Sequence, residues 1–235
     1  MITMTHDILL PFETHSQSGV GKASLTLTHA VIAGWTGRDS TAMERHITEL
    51  EALGVARPAA MPTFYRTSVT RITHADSIEV SGEYSSGEVE FVLIQHGGEL
   101  WIGVGSDHTD RKVETYSVTV SKQMCEKPIA PVLWPYQEVQ AHWDSLIVRS
   151  FAVENGVRNL YQEGTVASML APAILIGKYT DGKDHLPNGT VMFGGTLPAR
   201  GGVRAAERFD FELEDPVLGR HIAHGYDVLS LPVEG

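Results

Sequence analysis

The chain has 235 residues, a length that suits one large domain or a domain with a small N-terminal extension. Its formal net charge of −11 argues against nucleic acids and anionic membranes as partners. The single cysteine, Cys125, rules out a disulfide within the chain and fits a reducing compartment. No long uncharged apolar run suggests a membrane span, and the first residues lack the basic segment of a signal peptide. We therefore expect a cytoplasmic protein.

The N-terminal part of the chain predicts one strand and one helix. Residues 22–33 alternate between polar and apolar and then become apolar, a pattern that is typical of a strand. Asp39 or Ser40 can cap a helix over residues 41–53, and Gly54 can end it.

Short extended segments dominate the rest of the chain. Strand character is found in residues 64–72, 77–82, 88–94, 100–105, 113–120, 145–156, 190–195, 207–215 and 219–228. A brief turn or helix is predicted at 121–126, and a short apolar helix around 168–179. Many short strands with few helices predict a mainly β protein of the α+β class, largely antiparallel rather than doubly wound.

Three carboxylates on neighbouring strands are the strongest candidates for a functional site. Glu88 and Glu90 are two residues apart, so their side chains share one face of a strand and Val89 points to the other. Two adjacent glutamates repel each other, and a sheet rarely tolerates such a pair without a cation. Asp107 follows the next apolar run. Three carboxylates suit Mg²⁺ or Mn²⁺. The alternative is an edge strand with solvated glutamates and an aspartate in a turn.

Several common functional motifs are missing. Residues 18–22 (SGVGK) lack the glycine spacing of a phosphate loop, and no zinc motif of the HExxH type or nucleophile elbow is present. The glycines near residue 200 do not have dinucleotide-binding spacing. Cys125 is interpreted as a small buried residue rather than a nucleophile.

The order of the remaining motifs resembles that of the fumarylacetoacetate hydrolase family, from about residue 30 to residue 230. The resemblance rests on RHITEL with His46 and Glu49, PTFYR, EVE with Glu88 and Glu90, DHTDR with Asp107 and Arg111, SKQMCEKPIAP with Lys122, FAVENGVRNLYQEGT with Gln162 and Thr165, FGGTLPARGGV with Thr196, and the closing FDFELEDPVLGRHIAHGYDV. Each motif alone is weak, and their shared order makes the resemblance specific.

The chain also departs from the family pattern. The helix that usually separates E-x-E from the aspartate is reduced to QHGGELWIGVGS. Asp110 precedes Arg111, Glu114 stands where the family has a glutamine, and Arg66 replaces a lysine. The family's GTP loop has become GTLP. These departures indicate a divergent branch, and the family's substrates are therefore not transferred to this chain.

The resemblance implies a mixed β-sandwich or β-roll, usually dimeric, with Mg²⁺ or Mn²⁺ held by Glu88, Glu90 and Asp107. A 2-oxo acid would chelate this cation, which would stabilise an enolate when a neighbouring C–C bond breaks. Lys122 would be the second positive charge beside the developing oxyanion. Its alternative is a solvated lysine in a turn.

His46 and Glu49 would form the base that activates water, since a carboxylate bound to one imidazole nitrogen raises the basicity of the other. The alternative is an exposed helical pair of little consequence. Arg111 and Thr196 would bind the substrate, although Arg111 is equally suited to pair with Asp110 or Glu114 as scaffold. Tyr65 and Arg66 are weaker candidates for lining the pocket. His108 is interpreted as structural.

The predicted organisation is an N-terminal extension of strands over residues 1–30 and a catalytic domain over residues 31–235. The leading functional hypothesis is metal-dependent hydrolysis of a C–C bond in a 1,3-diketone or acylpyruvate-type 2-oxo acid by a homodimer. Decarboxylation, isomerisation or dehydration of a 2-oxo acid is the first alternative, because these reactions share the enolate. A small-molecule binding protein without turnover is the second.

Overall fold

The structure is a computed structural model that describes residues 6–41, 43–44, 47–48, 57–58 and 60–234. Strands make up most of the regular structure. They are β1 (Ile8–Ser16), β2 (Gly19–Leu27), β3 (His29–Gly34), β4 (Thr63–Thr67), β5 (Ile72–Thr73), β6 (Ser77–Ser81), β7 (Ser85–Ser86), β8 (Val89–His96), β9 (Glu99–Ser106), β10 (Thr109–Asp110), β11 (Lys127–Pro128), β12 (Val132–Pro135), β13 (Ile147–Glu154), β14 (Val157–Thr165), β15 (Thr190–Phe193), β16 (Arg208–Asp215) and β17 (Arg220–Leu231).

The helices in the described part of the chain are short. They are α1 (Arg111–Glu114), α2 (Val118–Met124), α3 (Tyr136–Val139) and α4 (Pro172–Tyr179), with 3₁₀ turns at Val69–Arg71, Gln140–Ser145 and Val166–Ser168. Ser40, Thr41, Met43, Glu44, Ile47 and Thr48 are also helical. Asp39 caps this segment, because its Oδ1 accepts a hydrogen bond of 2.9 Å from the backbone N–H of Thr41. The predicted end of this helix, at Gly54, lies outside the described residues.

Two main sheets form the fold. The first has eight strands in the order β2-β1-β12-β9-β8-β15-β3-β4, and the second has five strands in the order β14-β13-β16-β17-β6. The first sheet is mixed, since β1 pairs with β12 and β15 pairs with β3 in parallel while its other pairs are antiparallel. The predicted fold class, mainly β with an α+β arrangement, is confirmed.

The eight-stranded sheet is covered by apolar side chains on both faces. Phe91 and Leu93 of β8 belong to a core cluster that also contains Phe209 from the five-stranded sheet. Val92 and Ile94, on the opposite face of β8, belong to a second cluster. Each buried aromatic or aliphatic side chain of this kind contributes about 1.5–3 kcal/mol. Because Glu90 has the same strand parity as Val92 and Ile94, it is directed to the face of the second cluster.

The N-terminal strands extend the eight-stranded sheet. β1 and β2 form an antiparallel hairpin from Ile8 to Leu27, and Phe12, Leu25 and Leu27 pack in the second cluster. The predicted domain boundary near residue 30 stays a prediction.

Two predicted strands have different boundaries in the structure. The strand predicted at 22–33 is two strands, because the backbone N–H of Thr28 donates to the carbonyl oxygen of Gly189 at 2.8 Å and redirects the chain. The strand predicted at 64–72 ends at Thr67, where a 3₁₀ turn begins after Ser68. The Ser68 hydroxyl lies 2.8 Å from that of Thr70, and local side-chain hydrogen bonds of this type compete with strand pairing.

The predicted strand at 113–120 is wrong, since these residues contribute to α1 and α2. Asp110 accepts a hydrogen bond from the backbone N–H of Val113, and Ser117 accepts one from that of Val120. Each cap starts a helix at a position where the alternation of β-branched residues favours a strand.

Candidate metal centre

Glu88 and Glu90 lie at the start of β8, and Asp107 directly follows β9. In the antiparallel β8–β9 hairpin Glu90 pairs with Gly105, and the backbone N–H of Asp107 donates to the carbonyl oxygen of Glu88 at 2.9 Å. A Cβ atom at Gly105 would lie 2.7 Å from the side chain of Ile129, so only glycine fits this close approach. The register of the hairpin therefore brings the three acids together.

The three carboxylates offer oxygen atoms that lie within 4.8 Å of one another. Asp107 and Glu90 are buried, with 0% and 2% of their surface exposed, and the Glu88 side chain is 16% exposed. β8 is a central strand of the eight-stranded sheet. The alternative of solvated glutamates on an edge strand is therefore wrong.

Three basic side chains surround these acids. Lys122, near the end of α2, lies 3.3 Å from Glu88 Oε2 and also contacts Asp107 Oδ2. Arg111 Nη1 lies 3.1 Å from Glu88 Oε1, and Lys127 Nζ lies 2.9 Å from Asp107 Oδ1. Lys122 is buried, so the alternative of a solvated turn lysine is wrong.

The charges of this cluster shift the pKa values of its acids in opposite directions. Burial alone raises the pKa of Asp107, but the charges of Lys122 and Lys127 outweigh burial and lower this pKa to about 2. Burial raises the pKa of Glu90 well above its usual value, and the charges of Asp107 and Glu88 act in the same direction against that of Lys122. Glu90 is thus the acid least compensated by the protein's own cations.

Arg111 is fixed beside Glu88 by several contacts. Its Nε donates to Ser86 Oγ at 2.7 Å, and its Nη1 donates to Glu114 Oε2 at 2.9 Å. Asp110 is the N-cap of α1. Of the two scaffold pairings considered from the sequence, the pairing with Glu114 therefore forms. The buried Nη2 of Arg111 has no hydrogen-bond partner in the described part of the protein, which leaves the guanidinium with an unused donor.

The loop after β15 closes around Glu90. The backbone N–H of Gly195 donates to Glu90 Oε2 at 2.6 Å. Thr196 Oγ1 donates to the carbonyl oxygen of Val89 at 2.8 Å, and Gln162 Nε2 donates to Thr196 Oγ1 at 2.8 Å. Thr196 and Gln162 thus lie beside the strand that carries the two glutamates. The predicted substrate-binding role of Thr196 stays a prediction.

Other residues singled out from the sequence lie around this centre in different environments. Tyr65 is half-buried against the second core cluster. Arg66 is exposed, and its carbonyl oxygen accepts a hydrogen bond of 2.8 Å from Gln123 Nε2. Thr165 is exposed at the end of β14. A pocket-lining role for Tyr65 and Arg66 stays a prediction. His46 and Glu49, the predicted base, lie outside the described residues.

His108 and Cys125 are both buried. His108 Nδ1 lies 2.9 Å from the hydroxyl of Tyr226. Burial together with the charges of Lys127 and Arg111 lowers the pKa of His108 to about 3, so its ring is neutral at pH 7. Burial raises the pKa of the Cys125 thiol to about 11. Both residues agree with the structural interpretation.

Sequence reasoning missed two residues of this region. Lys127 is fully buried and also donates to the carbonyl oxygen of His108 at 2.5 Å. The signal available in the sequence was a lysine directly before the apolar, proline-rich segment 128–135. Tyr226 lies 2.8 Å from Ser106 Oγ through its hydroxyl, and no short motif marks it.

The donor set fits Mg²⁺ or Mn²⁺, the cations implied by the resemblance. All three side chains supply oxygen, which hard divalent cations prefer. The three acids are matched in number by three basic residues, Arg111, Lys122 and Lys127, yet the pKa of Glu90 is still raised. An additional cation at this point would stabilise the charged form of Glu90.

The fold and the carboxylate centre define a protein with the fold of the fumarylacetoacetate hydrolase family. Similar solved structures include the yeast protein ynq8, a fumarylacetoacetate hydrolase family protein, with 17% identity, a TM-score of 0.62 and coverage of 88% of this chain and 95% of that one. A provisionally named fumarylpyruvate hydrolase from Burkholderia cenocepacia has 16% identity, a TM-score of 0.60 and coverage of 94% and 96%. A 2-keto-3-deoxyarabinonate dehydratase has 16% identity, a TM-score of 0.65 and coverage of 91% and 77%.

The chain belongs to the family described as "Protein of unknown function (DUF2848)", whose model matches residues 33–226. This separate family agrees with a divergent branch of the fold. Among curated proteins, none matches the chain. In the described part of the protein, the helices are too short or too polar to cross a bilayer.

Proposed function

We propose that this protein is a metal-dependent enzyme that hydrolyses a C–C bond in a 1,3-diketone or acylpyruvate-type 2-oxo acid. The observation that carries the proposal is the cluster of the partly buried Glu88 with the buried Glu90 and Asp107, in which Lys122 contacts Glu88 and Asp107. A bound Mg²⁺ or Mn²⁺ supplies Lewis acidity toward the carboxylate and adjacent carbonyl oxygen of such a substrate.

Lys122 is proposed to stabilise the negative charge that develops on the substrate oxygen. Burial lowers the pKa of a lysine, but the charges of Asp107 and Glu88 outweigh that effect and hold the pKa of Lys122 above its usual value. The side chain is therefore a permanent cation at neutral pH. A positive charge in a buried site stabilises a developing oxyanion more strongly than the same charge in water.

Arg111 and Thr196 are proposed to orient the substrate. The guanidinium of Arg111 is held by Ser86, Glu88 and Glu114 and retains its Nη2 donor, which suits a substrate carboxylate. The Thr196 hydroxyl lies between Val89 and Gln162, next to the glutamates. Tyr65 and Arg66 are proposed to line the pocket further out.

His46 and Glu49 are proposed to activate the attacking water. The carboxylate would hold one imidazole nitrogen, and the other nitrogen would take the proton from water. This assignment comes from the H-x-x-E spacing and the resemblance.

Decarboxylation, isomerisation or dehydration of a 2-oxo acid is the second proposal. The dehydratase among the similar structures supports it, because that protein has the same fold and acts on a 2-keto acid. These reactions need stabilisation of the same negative charge, but decarboxylation does not need an activated water. A non-catalytic binding protein is the third possibility, and only turnover assays distinguish it from an enzyme.

The test compares His46→Ala with the unmodified protein on an acylpyruvate and on oxaloacetate, with Mg²⁺ present. Hydrolysis predicts a loss of cleavage of the acylpyruvate with oxaloacetate cleavage retained. Retained cleavage of both substrates would remove the base role of His46. His185→Ala is a matched control, because His185 also contacts a carboxylate, that of Asp184, but in an exposed pair. No turnover of either substrate by the unmodified protein would contradict both enzymatic proposals.

A homodimer in the cytoplasm is also proposed from the resemblance and the composition. Light scattering during size-exclusion chromatography would give twice the chain mass of 25.7 kDa for a dimer. A mass of one chain across the working concentration range would contradict the dimer.

A further inference from the structure

In each carboxylate of the centre, one oxygen atom contacts a nitrogen atom of the protein other than Nζ of Lys122. Arg111 takes Oε1 of Glu88, and the backbone N–H of Gly195 takes Oε2 of Glu90. Lys127 takes Oδ1 of Asp107 at 2.9 Å. This contact is an ion pair, because Oδ1 accepts no hydrogen bond of good geometry from the described residues. The other oxygen of each carboxylate is Oε2 in Glu88, Oε1 in Glu90 and Oδ2 in Asp107, and Lys122 contacts the first and the last of these.

The geometry points to Lys127 as a positioning residue that restricts Asp107 to one oxygen and thereby biases the centre toward small six-coordinate cations over Ca²⁺. Mg²⁺ and Mn²⁺ sites use few carboxylate oxygens and retain several waters. Ca²⁺ takes six to eight oxygens and often binds a carboxylate through both oxygens. A centre that offers three single oxygens suits the first group.

Lys127 is well suited to a fixed role because its backbone and its ammonium group are both held. The backbone of Lys127 pairs with that of Ile72 where β11 and β5 run parallel. Its Nζ donates to the carbonyl oxygen of His108 at 2.5 Å, and the whole residue is 0% exposed. A buried ammonium needs a charged partner, and Asp107 is that partner. Lys127 therefore cannot leave Oδ1 without leaving its own charge unpaired.

Lys122 contacts the same aspartate from the other side. It contacts Oδ2 of Asp107 and Oε2 of Glu88, two of the three remaining oxygens. A cation bound through these atoms would compete with Lys122 for them, whereas Lys127 would keep its contact with Oδ1. The two lysines thus have the same charge and share Asp107 but differ in the oxygen that they contact, which makes them a matched pair for a test.

The experiment measures Mn²⁺ and Ca²⁺ affinities of the full chain by calorimetry and by Mn²⁺ electron paramagnetic resonance, in Lys127→Met, Lys122→Met and the unmodified protein. The unmodified protein should bind Mn²⁺ more tightly than Ca²⁺. Loss of a side chain that orients a metal ligand typically changes affinity by about 10–100-fold. Lys127→Met should therefore lower the ratio of the Ca²⁺ Kd to the Mn²⁺ Kd by roughly tenfold. Lys122→Met should strengthen binding of both cations and leave the preference unchanged.

An unchanged preference in Lys127→Met, or an equal change in Lys122→Met, would overturn the inference, since a simple charge effect acts on both cations alike. A second measurement covers the case in which Lys127→Met does not fold. Infrared spectra of the unmodified protein with ¹³C-labelled aspartate, loaded with Ca²⁺, should show one-oxygen carboxylate coordination. A two-oxygen signature would contradict the role of Lys127.

The inference rests on the proposed metal centre and not on the proposed reaction. Metal binding with the expected preferences but no turnover would contradict the enzyme while leaving the role of Lys127 intact. Turnover by the unmodified protein together with an unchanged Mn²⁺ preference in Lys127→Met would support the enzyme and contradict the role of Lys127. Absence of Mn²⁺ and Ca²⁺ binding to the unmodified protein would overturn both.

Discussion

Gln162→Met should strongly destabilise the protein, although the two side chains have a similar volume. Gln162 is 2% exposed, and its Oε1 accepts hydrogen bonds from Val89 N at 3.0 Å and Ser150 Oγ at 2.9 Å. Its Nε2 donates to Thr196 Oγ1 and to the carbonyl oxygen of Leu197. Methionine fills a similar volume but makes none of these bonds.

The magnitude follows from the groups that lose their partner. The two hydroxyls can rotate, but the N–H of Val89 and the carbonyl of Leu197 cannot. Each buried unpaired group costs about 1–3 kcal/mol, so the free energy of unfolding should fall by about 4 kcal/mol. For a chain of this length, that corresponds to a decrease in Tm of roughly 8–16 °C. Because Val89 lies between Glu88 and Glu90, Mn²⁺ affinity should also fall.

Urea denaturation and thermal unfolding measure the stability change, and calorimetry measures the Mn²⁺ affinity. Gln123→Met is the matched control, because Gln123 is exposed and its side chain donates to a single carbonyl, that of Arg66. A surface change of this type is expected to stay within about 0.5 kcal/mol. Equal destabilisation by the two substitutions would refute the reasoning from buried hydrogen bonds.

Three further predictions concern the same region. Gly195 has φ +103° and a Cβ there would lie 1.8 Å from Thr36 Oγ1, so Gly195→Ala should lower both Tm and Mn²⁺ affinity. Thr36→Ala should recover part of this loss. Gly177→Ala is the control and should leave both quantities unchanged, because a Cβ at Gly177 would have no described atom within 4 Å. Unchanged Tm and Mn²⁺ affinity in Gly195→Ala would contradict the steric argument. Glu90→Gln should raise the Tm of the metal-free protein, because burial and the charges of Asp107 and Glu88 disfavour the charged form of Glu90. The same substitution should weaken Mn²⁺ binding by at least about tenfold. A lower Tm of the metal-free variant would contradict this prediction. Burial raises the pKa of the Cys125 thiol to about 11 from an ordinary 9.0, so less of it is thiolate at pH 8. Cys125 should therefore react with iodoacetamide at pH 8 about a hundredfold more slowly in the folded protein than in the urea-unfolded chain. Equal rates would show that the thiol is accessible and its pKa unperturbed.

Strand alternation predicted the parts of the fold in which local pattern and tertiary packing agree. The strands predicted at residues 88–94 and 100–105 correspond to β8 and β9, and the shared face of Glu88 and Glu90 follows from strand geometry alone. β16 and β17 were found in the same way. These segments alternate or are uniformly apolar, and each is bounded by turn residues.

Alternation was misleading where side-chain capping was decisive. Residues 113–120 contain three valines and two threonines that favour a strand, but Asp110 and Ser117 provide caps that begin helices. A cap residue and a turn residue look the same in a single sequence. Which one forms depends on where the following segment packs.

The carboxylates of the centre could be predicted from the sequence, but one of the basic residues beside them could not. Lys122 was identified because it stands in a motif of the resembling family. Lys127 lies five residues later on a two-residue strand whose partner, β5, is 55 residues away in the chain. Its contact with Asp107 depends on this long-range pairing, which no local pattern encodes. The arginine pairing with Glu114 rather than Asp110 was likewise undecided until the cap of α1 was known.

The position of Tyr226 has a consequence for how the molecule unfolds. Its hydroxyl, on the five-stranded sheet, lies within 2.9 Å of both Ser106 Oγ and His108 Nδ1 on the segment that carries Asp107. Separating the two sheets therefore breaks buried hydrogen bonds directly beside the candidate metal ligands. The sheets should melt in one cooperative transition, and loss of cation binding should coincide with loss of the β signal during that transition.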